Sequence, residues 1–457
     1  MTKPIDHTRL HRTAKYFMDN GKAQSHDEAL AMLHQFGLSI HAGPEVHHSK
    51  SHQIALLTLV NLARRTFLGG IEVVGIGDTP LLTALGQGND LSTAVLGLGG
   101  QVSATANPSW PKAIVGTADS ASVRSTIGWQ LSWEGWRGGV FPLRDDQRLA
   151  EDNNNPLAPA VAAAACAAEL FAWHAKDHPM ASRRPAGLSL WNPTQPWADH
   201  DTSEPGLSFL PSRLWLIGLG NLGQAFSWLL ACLPYADRGE VELLLQDFDT
   251  IAESNESTSL LSSREMVGRK KARVIAEWLE RVGFSTTLEE RRFGEWTVRG
   301  PHDPGVALCG VDNALARSVL DKPGFDLVVE AGLGAGPSGF RNFSMHTFPS
   351  SLNPAKIWTR QGMSRLPDVT AMPAYSALRK SGVDACGLTQ LASRAVGVPF
   401  VGLIAAALAV SEPLRRLHGA KALESLSGSA FCLDDVEQSH IGFVPYASGH
   451  VPVADSV

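Results

Sequence analysis

The sequence predicts an α/β fold with two Rossmann-like domains in one chain, and the main indication is a strand, a glycine turn and a helix in its second half. Residues 214–217 form an apolar run, and residues 224–233 have a helical pattern. Between them stands a GxGxxG motif made by Gly218, Gly220 and Gly223. A turn of this kind places the first backbone amides of a helix where they can hold a phosphate group.

A damaged copy of this turn in the first half supports the prediction of two domains. The predicted strand at residues 71–74 runs into Gly75 and Gly77, and Pro80 takes the place of the third glycine. The 457 residues of the chain are also too many for one ordinary domain. The sequence therefore predicts a degenerate turn in the N-terminal half and an intact turn in the C-terminal half.

Two segments rich in small residues strengthen the case for an internal duplication. Residues 156–164 align with residues 399–407 without a gap, and Glu169 and Glu412 each stand thirteen residues after the proline that opens their segment. Alanine-rich helices resemble one another by composition, so this alignment alone does not decide the matter. Combined with the damaged turn upstream it favours duplication, and we expect both helices to pack tightly in a core.

The coarse layout follows from local patterns. Residues 1–45 are predicted to be helical, and a further helix is expected at residues 53–67. A stretch rich in Pro and Trp, residues 178–211, predicts an irregular connection between the halves. We therefore expect a degenerate N-terminal domain over residues 1–205 and an active C-terminal domain over residues 206–457.

The composition describes a globular protein and argues against several classes. Hydrophobic residues make up 44% of the chain and charged residues 18%, and the formal charge of -6 argues against nonspecific nucleic-acid binding. The N-terminus carries no apolar signal, and the apolar stretch at residues 156–175 fits a buried helix better than a membrane span. The five cysteines form no CxxC pair, which favours neither disulfides nor a zinc site and indicates a cytoplasmic protein.

Polar residues after the glycine turn indicate which nucleotide chemistry is favoured. Asp247 ends a second predicted strand, where an acidic residue can accept hydrogen bonds from a ribose, and Asp249 follows it. Asn255, Lys271 and Asp312 come next along the chain. A lysine can neutralise phosphate charge, and an aspartate at a strand end can hold the Mg²⁺ that bridges phosphates. A nicotinamide enzyme has no use for such a set, whereas an ATP-using adenylating enzyme does.

Each of these residues also has a structural explanation when it is taken alone. The glycines suit any dinucleotide, Asp312 with the next residue can cap a helix, and a helix lysine such as Lys271 is usually solvated. Their joint order and spacing favour the adenylating site, since motifs gain meaning from their context.

From about residue 213 to residue 419 the chain resembles the superfamily of ubiquitin-activating E1 enzymes and their bacterial relatives in molybdopterin and thiamin synthesis. The family pattern is GxGxxG, then DxDxVxxSN, then GxxK, then DN followed by an arginine. The resemblance implies that Asp247 holds the ATP ribose, that Asn255 and Lys271 contact the phosphates, and that Asp312 binds Mg²⁺. Asp249, in the same motif as Asp247, is counted with the ATP-binding residues.

One departure from the family pattern concerns an arginine three residues after the asparagine, where this chain has Thr258. Arg264 and Arg269 stand nearby in the sequence and are candidates to replace it. Arg64 and Arg65, from the other half, are weaker candidates.

Cys386 is the candidate nucleophile. It opens a predicted helix after a loop-like segment, residues 353–384, and the free amides and dipole of a helix N-terminus stabilise a thiolate. In the E1 family the thioester-forming or sulfur-handling cysteine lies on a long crossing loop at this place, which we expect at about residues 345–390. The alternative for any cysteine is a structural place in a strand or helix, which we expect for Cys166, Cys232, Cys309 and Cys432.

The resemblance implies a reaction in two steps, in which the C-terminus of a ubiquitin-like protein is adenylated with Mg-ATP and then forms a thioester on Cys386 before transfer to an E2-like protein. The fusion of an inactive half to an active half is similar to the E1-like proteins of bacterial ubiquitin-like conjugation operons that act against phage. Three rivals stay open: an adenylyltransferase for sulfur transfer, a nicotinamide dehydrogenase and a non-catalytic scaffold. The oligomeric state, including a homodimer, also stays open.

Overall fold

Each half of the chain builds one mainly parallel β-sheet, which confirms the predicted α/β class with two sheet domains. The computed structural model describes residues 9–117, 127–199, 204–361, 368–383 and 385–454. Within these ranges, the side chains of residues 359–361, 385 and 386 lie outside the description. The domain boundary at residues 205 and 206 stays a prediction.

The N-terminal half begins with two short helices and then alternates strands with helices. Its elements are α1 (Lys15–Asp19), α2 (His26–Leu33), β1 (Gly37–Ala42), α3 (Lys50–Ala63), β2 (Gly70–Val74), α4 (Leu91–Gly97), β3 (Gln101–Val102), β4 (Lys112–Val115), β5 (Gly128–Glu134), β6 (Arg137–Pro142), α5 (Leu157–Ala175) and β7 (Ala186–Ser189). The sheet has the order β3-β2-β1-β4-β5-β6-β7, in which β6 pairs antiparallel with both β5 and β7 and the other pairs are parallel.

The C-terminal half repeats this alternation and adds helices between its last strands. Its elements are β8 (Phe209–Pro211), β9 (Arg213–Ile217), α6 (Asn221–Cys232), β10 (Glu242–Gln246), α7 (Lys271–Val282), β11 (Ser285–Glu289), β12 (Val306–Cys309), α8 (Ala314–Arg317), β13 (Leu327–Leu333), α9 (Gly336–Gly339), β14 (Asn342–Phe348), α10 (Pro354–Gln361), α11 (Pro373–Lys380), α12 (Ala385–Ser393), α13 (Pro399–Leu417), β15 (Ala422–Ser429), β16 (Cys432–Gly442) and β17 (His450–Pro452). The sheet has the order β11-β10-β9-β12-β13-β14-β15-β16, and β17 pairs with β8.

The two sheets have the same strand order, which supports the predicted duplication. In each sheet the first strand of the Rossmann unit, β1 or β9, lies between the second and the fourth strand. Helices α5 and α13 both have 19 residues. Each precedes the strand at the same position of its sheet, β7 after α5 and β15 after α13. Glu169 and Glu412 are both buried, with 3% and 0% of their surface exposed. The alignment of these two helices is therefore confirmed.

The prediction that Gly75 and Gly77 are the counterparts of the intact glycine turn is wrong. They follow β2, which pairs with β1 and β3 and therefore corresponds to β10. The strand that corresponds to β9 is β1, because it pairs with both β2 and β4. The counterpart of the turn at Gly218 is thus the segment from Gly43 to Glu45. Glycines after any parallel strand look alike in a sequence, and only the pairing tells the strands apart.

Helices of both halves pack against one another in one hydrophobic core. Helix α5 contacts α13, while α3 packs on α5 and α6 packs on α13. Across this interface Trp228 Nε1 donates a hydrogen bond to Thr58 Oγ1 over 3.0 Å. In the part of the chain that the structure describes, α5 is the helix that is long and apolar enough to cross a membrane, and 89% of its apolar window is buried inside the protein. The burial of α5 fits the predicted core helix.

Three local predictions differ from the structure. The helical prediction for residues 1–45 is wrong at its end, because β1 lies there and its Leu38 and Ile40 alternate with polar residues as a strand requires. The connection at residues 178–211 contains the short strands β7 and β8. The loop-like segment at residues 353–384 contains the helices α10 and α11.

Candidate active site

The candidate site lies at the carboxyl ends of the parallel strands in the C-terminal sheet. The strand order reverses between β9 and β12, since β10 lies on one side of β9 and β12 on the other. In open α/β sheets, ligands bind in the crevice outside this switch point. Gly218 directly follows β9, Asp247 directly follows β10, and Asp312 lies three residues beyond β12. The structure therefore brings these predicted residues to one edge of the sheet.

The glycine turn has the geometry that its residue types require. Gly218 has a φ of 83°, and its N–H donates to the carbonyl of Gln246 over 2.9 Å. A Cβ at Gly223 would lie 2.1 Å from the carbonyl oxygen of Gly218, so the third glycine allows α6 to approach the strand. A Cβ at Gly220 would have no atom within 4 Å, so the second glycine faces open space at the helix N-terminus. This arrangement fits a phosphate group close to the backbone.

Gly223→Ala and Gly220→Ala are expected to act on different properties. Alanine at 223 must displace the turn, so we expect the free energy of unfolding to fall by about 2 kcal/mol, a typical cost of overpacking. Alanine at 220 meets no atom, so we expect unchanged stability and about tenfold weaker ATP binding, since the methyl group takes space next to the phosphate. Thermal unfolding and ATP titration of both variants check this. If Gly223→Ala is as stable as the wild type, the packing assignment is wrong.

Asp247 and Lys271 stand on either side of Asp249. Asp247 is 8% exposed, and its two carboxylate oxygens accept the N–H groups of Leu219 over 2.7 Å and of Asp249 over 2.8 Å. Lys271 begins α7, and its Nζ lies 3.1 Å from Asp249 Oδ2. Asp247 thus braces the glycine turn, a contact that its sequence position does not reveal. Carboxylate oxygens can accept more than one hydrogen bond, so the Asp247 carboxylate retains capacity for a ribose hydroxyl.

Asn255 lies in the segment between β10 and α7, in a stretch that we call the 253–262 loop. Gln224, on the first turn of α6, attaches this loop to the glycine turn. Its Oε1 accepts the N–H of Leu261 over 2.8 Å, and its Nε2 donates to the carbonyl of Leu219 over 3.1 Å. The structure therefore connects the loop that contains Asn255 to the glycine turn, while Asn255 Oδ1 accepts the N–H of Ala252 over 2.8 Å.

The carboxylate of Asp312 is exposed at the end of β12. The helix cap that the sequence allowed for it belongs to Asn313, whose Oδ1 accepts the N–H groups of Leu315 and Ala316 over 2.8 and 3.2 Å. No residue within the described ranges forms a hydrogen bond or ion pair with Asp312 that would occupy its carboxylate. Those ranges also hold no group of three or more His, Cys, Asp or Glu side chains suited to a metal ion. Mg²⁺ needs no such group where substrate phosphates supply further ligands.

Arg12, in the N-terminal half, reaches this site without any signal in the sequence spacing. Its backbone N–H donates to Ser257 Oγ over 3.1 Å, and its Nε donates to the carbonyl of Ala395 over 2.7 Å. Withdrawal from water and the neighbouring charge of Arg394 lower the pKa of Arg12 to about 10, while the nearby charge of Asp312 opposes that shift. Arg12 is therefore a cation at neutral pH in the electrostatic range of Asp312.

The arginines that the sequence offers in place of the family arginine have other partners. Three of them form ion pairs with glutamates, namely Arg64, Arg264 and Arg269. Arg65 donates to backbone carbonyl groups. A Cβ at Gly397 would lie 2.8 Å from Thr258 Cγ2 and 3.4 Å from the Cβ of Arg12. The backbone at Gly397 thus lies between Arg12 and Thr258, the position at which the family arginine is missing.

Helix α12 begins one residue before Cys386, as predicted, and the Cys386 side chain lies outside the described residues. After α12 ends, the chain reaches Ala395, whose carbonyl accepts a hydrogen bond from the Nε–H of Arg12. The segment that carries the candidate nucleophile therefore leads directly to the glycine-turn site. The extent of the crossing loop at residues 345–390 stays a prediction.

The other cysteines have structural surroundings. Cys166, Cys232 and Cys309 are buried, and removal from water raises the pKa of each thiol. Cys432 begins β16 and is half-buried, and Arg184 Nη1 donates to its Sγ over 3.3 Å. The first three fit the predicted structural place.

The switch point of the N-terminal sheet is filled by side chains of the protein itself. Glu45 lies three residues beyond β1, and its carboxylate accepts the N–H of Thr117 over 2.9 Å. A Cβ at Gly116, which directly follows β4, would lie 2.4 Å from Glu45 Oε2. Arg148 Nη2 lies 3.5 Å from Glu45 Oε1. The Glu45 carboxylate therefore occupies the place at which the C-terminal sheet has room for a phosphate. Its negative charge would repel a phosphate group.

Models of known protein families match most of the chain. The model of the BilD N-terminal domain matches residues 37–190, and the model of the BilD C-terminal domain matches residues 210–420. The bacterial E1-like protein BilD of Collimonas sp. (strain OK412) is 58% identical to this chain over 450 residues, which are 98% of this chain and 97% of that protein.

Solved structures of E. coli MccB match part of the chain. The complex with succinimide has 12% sequence identity and a TM-score of 0.34, over 51% of this chain and 65% of that chain. A second MccB structure has 13% identity and a TM-score of 0.33, over 51% of this chain and 63% of that chain. The chain thus spans just under two thirds of the MccB chains that it matches.

Proposed function

Because the chain belongs to the BilD family of bacterial E1-like proteins, we propose that it activates a ubiquitin-like protein for conjugation. In this proposal the C-terminal half adenylates the C-terminal carboxylate of the partner with Mg-ATP, and Cys386 then accepts the acyl group. The observation that carries the proposal is the convergence of the glycine turn, Lys271, Arg12 and the exposed carboxylate of Asp312 at one switch point.

The groups around the turn fit the phosphates of ATP. Gly220 leaves the N-terminus of α6 open, so its amides can bind a phosphate. Lys271 and Arg12 add positive charge from opposite halves of the chain, and Asn255 adds an amide. Asp247, at the end of β10, suits the ribose hydroxyls and Asp249 extends the polar edge toward Lys271.

Asp312 is the residue that would hold Mg²⁺. When bound there, the ion would supply positive charge that neutralises charge developing on the phosphates. An exposed carboxylate at a strand end, with the helix cap supplied by its neighbour Asn313, has the chemistry for this task.

In the first step, the terminal carboxylate of the partner attacks the α-phosphorus of ATP. A bond forms between a carboxylate oxygen and that phosphorus, the bond to the bridging oxygen breaks, and the electron pair leaves with pyrophosphate. Lys271 and Arg12 stabilise the negative charge that builds on the leaving group, and one such donor typically contributes about 3 kcal/mol. The product is an acyl adenylate.

In the second step, the thiolate of Cys386 attacks the carbonyl carbon of the acyl adenylate and AMP leaves. A position on the first turn of α12 favours the thiolate, because free backbone amides and the helix dipole lower the pKa of a thiol. The thioester is then passed to a cysteine of an E2-like protein.

The proposal gives the N-terminal half a supporting role. Glu45 leaves no room for a nucleotide phosphate at its switch point, whereas Arg12 adds charge to the site of the other half. One chain therefore supplies both halves of the active unit, and a homodimer is not needed to complete it. A cytoplasmic role in defence against phage, as implied by the family resemblance, belongs to the same proposal.

ATP–pyrophosphate exchange in the presence of bacterial ubiquitin-like proteins tests the proposal. We expect Lys271→Ala to slow exchange about a hundredfold, because it removes a charge that stabilises the leaving group. Lys270→Ala is the matched control, since Lys270 is the adjacent lysine and its Nζ donates to the carbonyl of Phe248 instead. Absence of exchange in the wild type would overturn the proposal. A partner that ends as a thiocarboxylate, with no protein conjugate, would show sulfur transfer in its place.

A further inference from the structure

We propose that Arg65 is a positioning residue of the nucleotide site, supplied by the N-terminal half, which holds the 253–262 loop in the conformation that binds ATP. This inference rests on the proposed function and deepens it, because it concerns the same nucleotide site. It assigns to Arg65 a role that differs from the one its sequence suggested, since it does not replace the missing family arginine at Thr258.

Arg65 inserts its guanidinium into the loop and binds the backbone at three places. Its Nη1 donates to the carbonyls of Glu256 over 2.6 Å and of Ser262 over 3.0 Å, and its Nη2 donates to the carbonyl of Leu260 over 2.7 Å. One side chain thus ties together both ends of a seven-residue stretch of the loop. Carbonyl groups that accept from a cation form stronger hydrogen bonds than those between neutral groups.

The guanidinium itself is fixed from the N-terminal side. Arg65 is 4% exposed, and its Nε donates to Asn61 Oδ1 over 3.2 Å. Asn61 lies one turn earlier, in α3, and its Nδ2 donates to the carbonyl of Leu260 over 3.2 Å. The side chain is therefore held by a helix of one half while it binds a loop of the other half.

The far side of the loop is attached to the glycine turn. Gln224 accepts the N–H of Leu261 over 2.8 Å and donates to the hydroxyl of Ser262 over 2.9 Å. Ser262 thus meets Arg65 through its carbonyl and Gln224 through its hydroxyl. The loop is thus hydrogen-bonded to the glycine turn on one side and to Asn61 and Arg65 on the other. A displacement of Arg65 would therefore also displace Asn255 and Ser257. Ser257 in turn accepts the backbone N–H of Arg12.

Arg65 is a positioning residue and not a phosphate ligand, because its described hydrogen bonds engage Nε, Nη1 and Nη2 in protein contacts. Its influence on ATP therefore passes through the loop. Small displacements of binding groups have large effects on affinity and rate, because the bound geometry is set in advance.

Titration of the full-length protein with Mg-ATP, together with thermal unfolding, tests this inference. We expect Arg65→Lys to weaken ATP binding about tenfold or more, the ratio expected when charge-assisted hydrogen bonds are lost. The matched control is Arg64→Lys, which alters the adjacent arginine and its ion pair with Glu256 at 3.2 Å. We expect this control to change ATP affinity less than about twofold, because a partly exposed ion pair contributes little.

A second variant keeps the inference testable if Arg65→Lys does not fold. Asn61→Ala keeps Arg65 but removes the side chain that orients its guanidinium. We therefore expect ATP affinity to fall, by a smaller factor than in Arg65→Lys. Hydrogen exchange at the amides of Leu261 and Ser262 should quicken in both variants.

The outcomes separate this inference from the proposed function. Wild-type ATP affinity in Arg65→Lys, with only a lower unfolding temperature, overturns the positioning role and leaves the proposed function standing. An equal loss of affinity in Arg64→Lys also overturns it, because the effect would then not depend on the backbone hydrogen bonds that Arg65 makes. Failure of the wild-type protein to bind Mg-ATP overturns both. Faster exchange in the loop of Asn61→Ala with unchanged ATP affinity overturns the positioning role alone.

Discussion

Replacing Arg12 with alanine is expected to slow ATP–pyrophosphate exchange about a thousandfold, the order of magnitude that an arginine facing a transferred phosphate supplies. Arg12 lies beside the 253–262 loop and within the electrostatic range of Asp312. It retains its charge at neutral pH, because its pKa is lowered only to about 10. Alanine removes that charge and the charge-assisted hydrogen bond to Ala395, so the loss of stability should be about 2 kcal/mol.

Arg9→Ala is the control for this experiment. Arg9 precedes Arg12 by three residues and pairs with Glu253 over 3.3 Å, but its side chain is 66% exposed. An exposed ion pair contributes little, so exchange should stay near the wild-type rate. A rate in Arg12→Ala that is within about threefold of the wild type would show that this arginine does not face the phosphates, since one lost charge contact costs far more.

Cys386→Ala is expected to abolish the reducible covalent adduct between the protein and its ubiquitin-like partner, while ATP–pyrophosphate exchange continues. In the proposed mechanism the adduct needs a thiol at this position, whereas the first step uses only groups around the glycine turn. Non-reducing electrophoresis before and after treatment with thiol measures the adduct. Exchange of labelled pyrophosphate in the same samples measures the first step.

Cys432→Ala is the matched control, since Cys432 is half-buried, unlike the three buried cysteines, and accepts a hydrogen bond from Arg184. We expect the adduct to form normally in this variant. An adduct that persists in Cys386→Ala and disappears in Cys432→Ala would move the nucleophile to β16 and would refute the assignment to α12.

The parts of the site that lie close together in the sequence were predictable from it. The three glycines follow a strand and open a helix, and their spacing alone implies the tight turn seen at Gly218 and Gly223. The identical length of α5 and α13 reflects the alignment of their sequences. Local patterns succeed here because each depends on the periodicity of one helix or on the sterics of one turn.

Contacts between distant segments were not predictable. Arg12 meets Ser257 and Ala395, which stand more than two hundred residues away, and no spacing rule connects them. The assignment of the damaged turn fails for a related reason, because Gly75 and the true counterpart near Glu45 both follow parallel strands. The role of Arg65 required the same knowledge, since its partners are backbone carbonyls and carry no residue signature.

The filling of one switch point by Glu45 has a consequence for the stoichiometry of the reaction. In the proposed mechanism nucleotide binds at the C-terminal switch point, so we expect a rapid burst of at most one molecule of pyrophosphate per chain. A symmetric pair of subunits must also carry every substitution twice. In this chain the two sides of the interface have separate sequences. A substitution such as the one that placed Arg65 against the 253–262 loop therefore changes one side of the interface only.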